Sequence, residues 1–227
     1  MTRRIAFFDL DETLLVGKSM LGFWRHWSAL LVREGRTPPV LRVTGADREA
    51  LNRDYFAHFA GVPLARFEAA ARRWYADHRR QRRAYLAESL DALERHRAAG
   101  HEIAVVSGSG AALVRPVAED LGVRHVLATE QLTDARGILT GAVRRPLIGA
   151  AKAESVAALV ERRGVRALDC FAYGDHSSDL PMLSSVGHPV VVGDDPVLRA
   201  HGAARGWATL GARACARARR GGVLAVN

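Results

Sequence analysis

The sequence has little cysteine and lacks long apolar segments. Cys170 and Cys215 are its only cysteines, and they have no metal-binding spacing. This usage suits a reducing cytoplasm and argues against a disulfide scaffold. No apolar run approaches the roughly 20 residues that a membrane span needs. The first residues, MTRRIAFF, carry neither a long apolar stretch nor a small-residue cleavage site, so we expect no signal peptide. The composition therefore predicts a cytoplasmic protein with no membrane partner.

Lysine is nearly absent, although the chain is basic. Of 33 lysines and arginines only Lys18 and Lys152 are lysines, and the formal net charge is +9. Such a charge would suit nucleic acid, but the arginines are scattered through apparently helical sequence. The densest cluster, RRQRR at 79–83, has no interleaved aromatic residues. We therefore expect solvated arginines and no nucleic-acid partner. A basic polyanion-binding protein remains the non-enzymatic alternative.

Hydrophobic periodicity divides the 227 residues into two kinds of sequence. Ile5 to Phe8 form an apolar run typical of a strand that is buried on both faces. Residues 19–96 then show helical spacing and no convincing buried strand. From Gly100 onward strands alternate with helices, which predicts right-handed crossovers and a parallel sheet. We expect a doubly wound, Rossmann-like α/β core at 1–17 and 97–227, with an inserted α-helical cap at 18–96.

The predicted elements after Gly100 share one pattern, in which short apolar strands end in glycine or polar residues. Strands are predicted at 101–109, 125–130, 168–175 and 188–193, a hairpin at 131–143, and a helix at 151–164. Ligands bind to such sheets outside the carboxyl ends of the strands. We therefore expect the functional site at this edge.

Two carboxylates stand at the end of the first strand, in the stretch FFDLDETLL. Burying a lone carboxylate costs several kcal/mol or shifts its pKa until it is neutral. Asp9 and Asp11 therefore require a cation or a proton nearby. Polar groups also occur where other strands end or helices begin, namely at Ser107, Lys152, Asp175 and Asp179.

These positions lie in four ordered segments, DLDETLL, VVSGSG, AAKAES and YGDHSSDLPML. Together they resemble the four motifs of the haloacid dehalogenase-like superfamily. The phosphoserine-phosphatase-like branch (subfamily IB), which has a helical C1 cap inserted after the first motif, is the most similar. The resemblance extends from Ile5 to about Trp207. It implies a Mg²⁺-dependent phosphatase that hydrolyses a small-molecule phosphomonoester through an aspartyl-phosphate intermediate.

The resemblance also implies roles for individual residues. Asp9 would be the nucleophile that attacks phosphorus, a route that divides one difficult hydrolysis into two easier steps. Asp11 would protonate the leaving alkoxide and then activate water, which requires its pKa to be raised by burial and nearby charge. The implied Mg²⁺ ligands are a carboxylate oxygen of Asp9, the backbone carbonyl of Asp11, and Asp175.

The remaining motif residues are implied to bind phosphate or to support the residues that do. Ser107 and Lys152 would bind phosphoryl oxygens, with Gly108 in the same turn as Ser107. A compact ammonium suits phosphate in a narrow site, which is consistent with a lysine in a chain that otherwise uses arginine. Thr13 would orient phosphate or the nucleophile. Asp179 would hold Lys152 or a metal-bound water.

Two cap positions depart from the phosphoserine phosphatase pattern. Where those enzymes have a glutamate that binds the amine of serine, this chain has Lys18. Where they have an arginine that binds the carboxylate, it has Tyr55. We therefore expect a substrate other than phosphoserine, because a reversed charge at a desolvated clamp costs several kcal/mol. Lys18 would meet an additional anionic group on that substrate.

Several interpretations remain open at this point. The cap aromatic residues Phe23, Trp24 and Phe56 either shape the substrate pocket with Tyr55 or only pack the cap. His176 lies either at the mouth of the site or outside it. A phosphotransferase, which passes phosphate to an alcohol, would use the same residues. A dehalogenase is disfavoured, because it would lack the second catalytic carboxylate, Asp11.

Overall fold

The structure, a computed structural model, describes residues 3–41, 45 and 47–215. Within these ranges no helix combines the length and the apolar character needed to cross a membrane. The described chain contains the following helices: α1 (Ser19–Arg33), α2 (Arg48–Ala57), α3 (Leu64–His78), α4 (Ala87–Ala98), α5 (Ala111–Leu121), α6 (Ala150–Arg163), α7 (Leu180–Ser184) and α8 (Pro196–Ala204). Its strands are β1 (Ile5–Asp9), β2 (Tyr85–Leu86), β3 (Glu102–Gly110), β4 (His125–Thr129), β5 (Gln131–Thr133), β6 (Leu139–Val143), β7 (Phe171–Gly174), β8 (His188–Val192), β9 (Ala208–Leu210) and β10 (Ala214–Cys215).

Six strands form a parallel sheet in the order β4-β3-β1-β7-β8-β9. Strand β1 lies in the interior, between β3 and β7. After β1 the chain adds β3 and β4 on one side of it, and it then crosses over to add β7, β8 and β9 on the other side. A crevice is expected at such a reversal, outside the carboxyl end of the first strand. The sheet confirms the predicted α/β fold class.

The apolar run of β1 is explained by burial on both faces of the sheet. All five residues of this strand are buried. Ala6 and Phe8 belong to one core cluster, whereas Ile5 and Phe7 belong to the cluster on the opposite face. Alternate side chains of a strand point to opposite faces, so a strand covered on both sides needs no polar alternation.

The first three helices follow β1 directly and bring their aromatic side chains together. Phe59 lies at the centre of this cluster, with its ring centroid 5.9 Å from Phe23, 5.6 Å from Trp27 and 4.7 Å from Phe67. The side chains of Phe23, Phe59 and Phe67 are fully buried. The cap therefore contributes an aromatic cluster that is continuous with the core on one face of the sheet.

The expectation of no strand within 19–96 is wrong at Tyr85–Leu86. This two-residue strand pairs antiparallel with Ala214–Cys215, more than a hundred residues away. Two residues are too short to show a period, and a distant partner leaves no local signal. The predicted boundary between cap and core after residue 96 stays a prediction. Helix α4, which that boundary gives to the cap, packs against β3 of the main sheet.

The later elements that were predicted begin and end close to their predicted positions, with one difference. The predicted strand at 168–175 starts as a 3₁₀ turn, Ala167–Asp169, and only Phe171–Gly174 is extended. Three further elements were not predicted, namely helix α8, strand β10 and strand β9. Two of the three residues of β9 are exposed, so this strand carries little apolar pattern.

The aromatic cluster of the cap generates a prediction about stability. Replacing Phe59 by alanine should lower the free energy of unfolding by about 3–5 kcal/mol, since it removes a fully buried ring and leaves a cavity. Urea unfolding followed by circular dichroism measures the change. Val32→Ala is the control, because Val32 is 62% exposed in the same cap and should change stability by no more than about 0.5 kcal/mol. If the two substitutions lowered the free energy of unfolding equally, the aromatic cluster would not contribute specifically to stability.

Candidate functional site

A cavity of about 390 Å³ lies between the carboxyl edge of the sheet and the cap. Asp9 ends β1, Ser107 lies near the end of β3, and Asp175 directly follows β7. These three strands are neighbours, so their ends meet at one edge. All the residues predicted for the site line this cavity, with the exception of Thr13.

Lys152, in the first turn of α6, forms the central ion pairs of the site. Its Nζ lies 2.5 Å from Oδ1 of Asp9 and 2.6 Å from Oδ1 of Asp179. Burial lowers the pKa of the Lys152 ammonium, but the charges of Asp179 and Asp9 outweigh burial and raise that pKa overall. The side chain is therefore a permanent cation that connects β1 to the segment after β7.

Three carboxylates surround this single ammonium. Oxygen atoms of Asp9, Asp175 and Asp179 lie within 4.8 Å of one another. Burial raises the pKa of the Asp9 carboxyl, with Lys152 opposing the rise. Burial and the charge of Asp179 raise the pKa of Asp175 to about 6. Three ionised carboxylates against one ammonium leave two negative charges, which one divalent cation would neutralise. Oxygen donors of this kind suit Mg²⁺, so the donor set fits the predicted ion.

Asp11 lies in different surroundings, although it is only two residues from Asp9. Its Oδ1 accepts from the backbone N–H of Ser19 at 2.9 Å. Its Oδ2 lies 3.0 Å from Oγ of Ser19 and 3.1 Å from Oγ of Ser109, and the two hydroxyl oxygens are 2.7 Å apart. Burial raises the pKa of Asp11, against the effect of the Ser19 hydrogen bonds.

A count of protons bears on the state of Asp11. The hydroxyls of Ser19 and Ser109 supply two protons, whereas the three oxygen atoms make three short contacts. All three contacts are hydrogen bonds only when the carboxyl of Asp11 supplies the third proton. The geometry therefore favours a protonated Asp11, and burial shifts its pKa in the same direction.

Two residues hold carboxylates of this cluster in position. Thr13 is fully buried and its hydroxyl donates to Oδ1 of Asp175 at 3.1 Å, so it contacts a carboxylate and not the cavity. Gly174 leaves space for Asp179, because a Cβ at Gly174 would lie 2.8 Å from Cβ of Asp179. A larger residue at Gly174 would displace Asp179 from Lys152.

The predicted specificity residues both reach the cavity. Lys18 forms an ion pair with Glu12, which partly neutralises its charge. Tyr55 is buried and donates its hydroxyl to the backbone carbonyl of Met20 at 3.1 Å. His176 also lines the cavity, whereas Phe23 and Phe56 pack inside the cap and do not.

Comparison with known proteins places this arrangement in a family. The family model described as haloacid dehalogenase-like hydrolase matches residues 6–184. The chain belongs to this family. It is 32% identical to the "Inhibition of morphological differentiation protein" of Streptomyces azureus, over 92% of this chain and 79% of that one. It is also 32% identical to a probable phosphatase of Mycobacterium tuberculosis (strain ATCC 25618 / H37Rv), over 92% and 75%.

A solved structure shows the same fold. The phospho-aspartyl intermediate analogue of phosphoserine phosphatase superposes with a TM-score of 0.66 at 20% identity, covering 95% of this chain and 96% of that one. The family match confirms the predicted superfamily, and the chain is an enzyme of the haloacid dehalogenase-like hydrolase family, whose members include the probable phosphatase named above. The roles of its individual residues stay predictions.

Sequence reasoning missed four residues of the site, namely Ser19, Arg48, Asn52 and Ser109. Ser109 lies inside the motif VVSGSG and could have been considered with Ser107. Asn52 is one of only two asparagines in the chain, a scarcity similar to that of Lys152. Ser19 and Arg48 could not be recognised in the sequence, because serines and arginines are common here. Only the folded chain brings Ser19 to Asp11 and Arg48 to the cavity.

The raised pKa of Asp175 predicts how metal affinity depends on pH. A carboxylate must be ionised to bind a cation, and Asp175 gains its proton below about pH 6. Calorimetric titration with Mg²⁺ should therefore give a nearly constant affinity above pH 7 and a loss of roughly tenfold per pH unit below pH 6. Asp175→Asn should abolish most of the binding at every pH. An affinity that does not change between pH 5 and 7 would contradict the prediction.

Proposed function

We propose that this hydrolase is a Mg²⁺-dependent phosphatase that hydrolyses a small-molecule phosphomonoester, other than phosphoserine, through an aspartyl-phosphate on Asp9. The observation that carries the proposal is the contrast between two buried aspartates. Asp9 is paired with the ammonium of Lys152, whereas Asp11 is surrounded by hydroxyls. A nucleophile needs an ionised carboxylate and a general acid needs a protonated one.

In the first step an oxygen of Asp9 forms a bond to phosphorus while the bond from phosphorus to the leaving oxygen breaks. Asp11 gives its proton to that leaving alkoxide, so a neutral alcohol departs. In the second step Asp11, now ionised, takes a proton from water as the water attacks phosphorus. The bond between phosphorus and the Asp9 oxygen then breaks, which frees the Asp9 carboxylate and inorganic phosphate and leaves Asp11 protonated again. The hydroxyls of Ser19 and Ser109 remain hydrogen-bonded to Asp11 in both states.

The phosphoryl oxygens would bind where positive charge and donors converge. Lys152 supplies an ammonium beside Asp9, and Ser107 and Gly108 line the same part of the cavity. Donors that are already in position stabilise the charge that develops in the transition state without further reorganisation. Asp179 would keep Lys152 oriented through the 2.6 Å ion pair.

The divalent ion would be held by Asp9 and Asp175, with the backbone carbonyl of Asp11 as a further ligand. When bound, it supplies positive charge that offsets the repulsion between phosphate and the carboxylates. Thr13 supports this site, since its hydroxyl fixes one oxygen of Asp175.

The cap argues against phosphoserine. Lys18 lines the cavity, and Arg48 lines it from helix α2. Two cations on this side disfavour the ammonium of phosphoserine, because like charges at a desolvated site repel. They favour a substrate with an additional anionic group.

The role of Asp9 is tested by Asp9→Asn, which is nearly isosteric. The variant should fold normally and lose phosphate release from p-nitrophenyl phosphate, because an amide oxygen is a poor nucleophile. Removal of divalent ions by EDTA should stop the wild-type enzyme as well, and Mg²⁺ should restore it. Wild-type rates in either case would contradict the mechanism. The same assay with added alcohols separates hydrolysis from phosphotransfer, which the sequence leaves open.

The role of Asp11 is tested by comparing how much the Asp11→Asn substitution slows hydrolysis of esters with different leaving groups. Asp11→Asn keeps the backbone carbonyl but removes the proton donor, so kcat for an alkyl phosphate should fall by about 10² to 10⁴. The loss should be smaller for p-nitrophenyl phosphate, because p-nitrophenolate leaves without protonation. Steady-state kinetics on both esters measures the difference. An equal loss for the two esters would rule out proton donation by Asp11.

A further inference from the structure

Helix α2 presents four residues to the cavity, at positions 48, 51, 52 and 55, which lie on one face of the helix. The hydroxyl of Tyr55 is already engaged by the carbonyl of Met20. Arg48 and Asn52 each keep hydrogen-bonding capacity that no described residue satisfies. Neither residue has a role in the mechanism above.

Arg48 reaches from the cap to the segment between Asp175 and Asp179. Its Nη1 lies 2.7 Å from Nδ1 of His176 and donates to Oγ of Ser178 at 3.0 Å. Neither of these two contacts is with a carboxylate. Within the described chain no carboxylate lies within 4 Å of this guanidinium, and its Nε and Nη2 have no partner. Among the described residues, therefore, no carboxylate pairs directly with Arg48.

The edge formed by Nε and Nη2 can bind a carboxylate or phosphate through two parallel hydrogen bonds. Because Nη1 is anchored on His176 and Ser178, the guanidinium is held in place before any ligand arrives. Such preorganisation reduces the entropy lost on binding.

Asn52 adds a second, independent observation. The residue is only 4% exposed, and its Nδ2 donates to the carbonyl of Gly108 at 2.8 Å and faces Sδ of Met20 at 3.7 Å. The reversed amide would place two oxygens against each other, so the orientation is determined by Gly108. Oδ1 then remains a buried acceptor without a hydrogen-bond partner among the described residues. A buried acceptor without a donor is costly, and a ligand in the cavity can supply that donor.

We propose that Arg48 and Asn52 form a specificity subsite for the leaving group of the substrate, and this inference rests on the proposed phosphatase function. Arg48 binds an anionic group and Oδ1 of Asn52 accepts from a hydroxyl. The positive charges of Arg48 and Lys18 select a hydroxyl over an ammonium as that donor. The substrate class is thus a small phosphomonoester whose leaving group carries both a hydroxyl and a carboxylate.

Four esters test this subsite, since they differ by one group at a time. The reference ester, 3-phosphoglycerate, has a carboxylate and a hydroxyl. Phosphoserine replaces the hydroxyl by an ammonium, glycerol 3-phosphate replaces the carboxylate by a hydroxymethyl group, and the phosphate ester of 3-hydroxypropanoate lacks the hydroxyl. The wild-type enzyme should show the highest kcat/KM for 3-phosphoglycerate, by roughly 10- to 100-fold over glycerol 3-phosphate, the usual worth of a charge-assisted pair.

Arg48→Met should remove most of the preference for 3-phosphoglycerate over glycerol 3-phosphate, chiefly through KM. Arg53→Met is the matched control, because Arg53 lies on the same helix but is exposed and paired with Glu49. It should leave the ratio unchanged. If Arg48→Met lowers kcat/KM equally for both esters, Arg48 acts on the phosphoryl group and the subsite is refuted.

Asn52→Leu should reduce the preference for 3-phosphoglycerate over the ester that lacks the hydroxyl, by up to about tenfold. The carbonyl of Gly108 keeps a donor in this variant, because Thr129 Oγ1 also donates to it at 2.7 Å. Thermal unfolding of each variant shows whether it folds. An unchanged preference in a folded variant would exclude Asn52 from the subsite.

The assay separates this inference from the function on which it rests. If the wild-type enzyme hydrolyses p-nitrophenyl phosphate but does not prefer 3-phosphoglycerate among the four esters, the subsite is wrong and the phosphatase function stands. If it hydrolyses neither p-nitrophenyl phosphate nor any of the four esters with Mg²⁺, both the function and the subsite fail.

Discussion

The ammonium of Lys152 lies 2.5 Å from Asp9 and 2.6 Å from Asp179, and the rest of the site depends on these contacts. Without a cation, the desolvated carboxylates at the end of the central strand would repel each other and become protonated. One ammonium balances only one of the three charges, which is why the cluster suits a divalent ion as well. Gly174 serves the same arrangement, because it leaves room for Asp179.

Burial raises the pKa of both Asp9 and Asp11, yet their neighbours give them opposite chemistry. Asp9 faces an ammonium, which stabilises its ionised form. Asp11 faces the hydroxyls of Ser19 and Ser109, which can accept a hydrogen bond as well as donate one. A hydroxyl therefore tolerates either protonation state, as a group that alternates between acid and base requires.

Helix α2 packs the cap with one face and lines the cavity with another. Phe56 faces the aromatic interior of the cap, together with Phe59 just beyond the helix, whereas Arg48 and Asn52 face the cavity. The same helix also contacts both core segments of the site, through Gly108 and His176. Packing of the cap therefore fixes the position of this polar face relative to Gly108 and His176.

The sequence by itself determined the parallel α/β core, the helical insertion, and the strand ends at which Asp9, Ser107 and Asp175 meet. These features follow from local periodicity and from the rule that parallel strands share one carboxyl edge. Only the tertiary structure decided that Thr13 supports Asp175, that Ser19 contacts Asp11, and that β2 pairs with β10. Contacts of this kind join segments whose separation in the chain follows no period. Their geometry depends on how the cap packs on the sheet, which is a property of the whole folded chain.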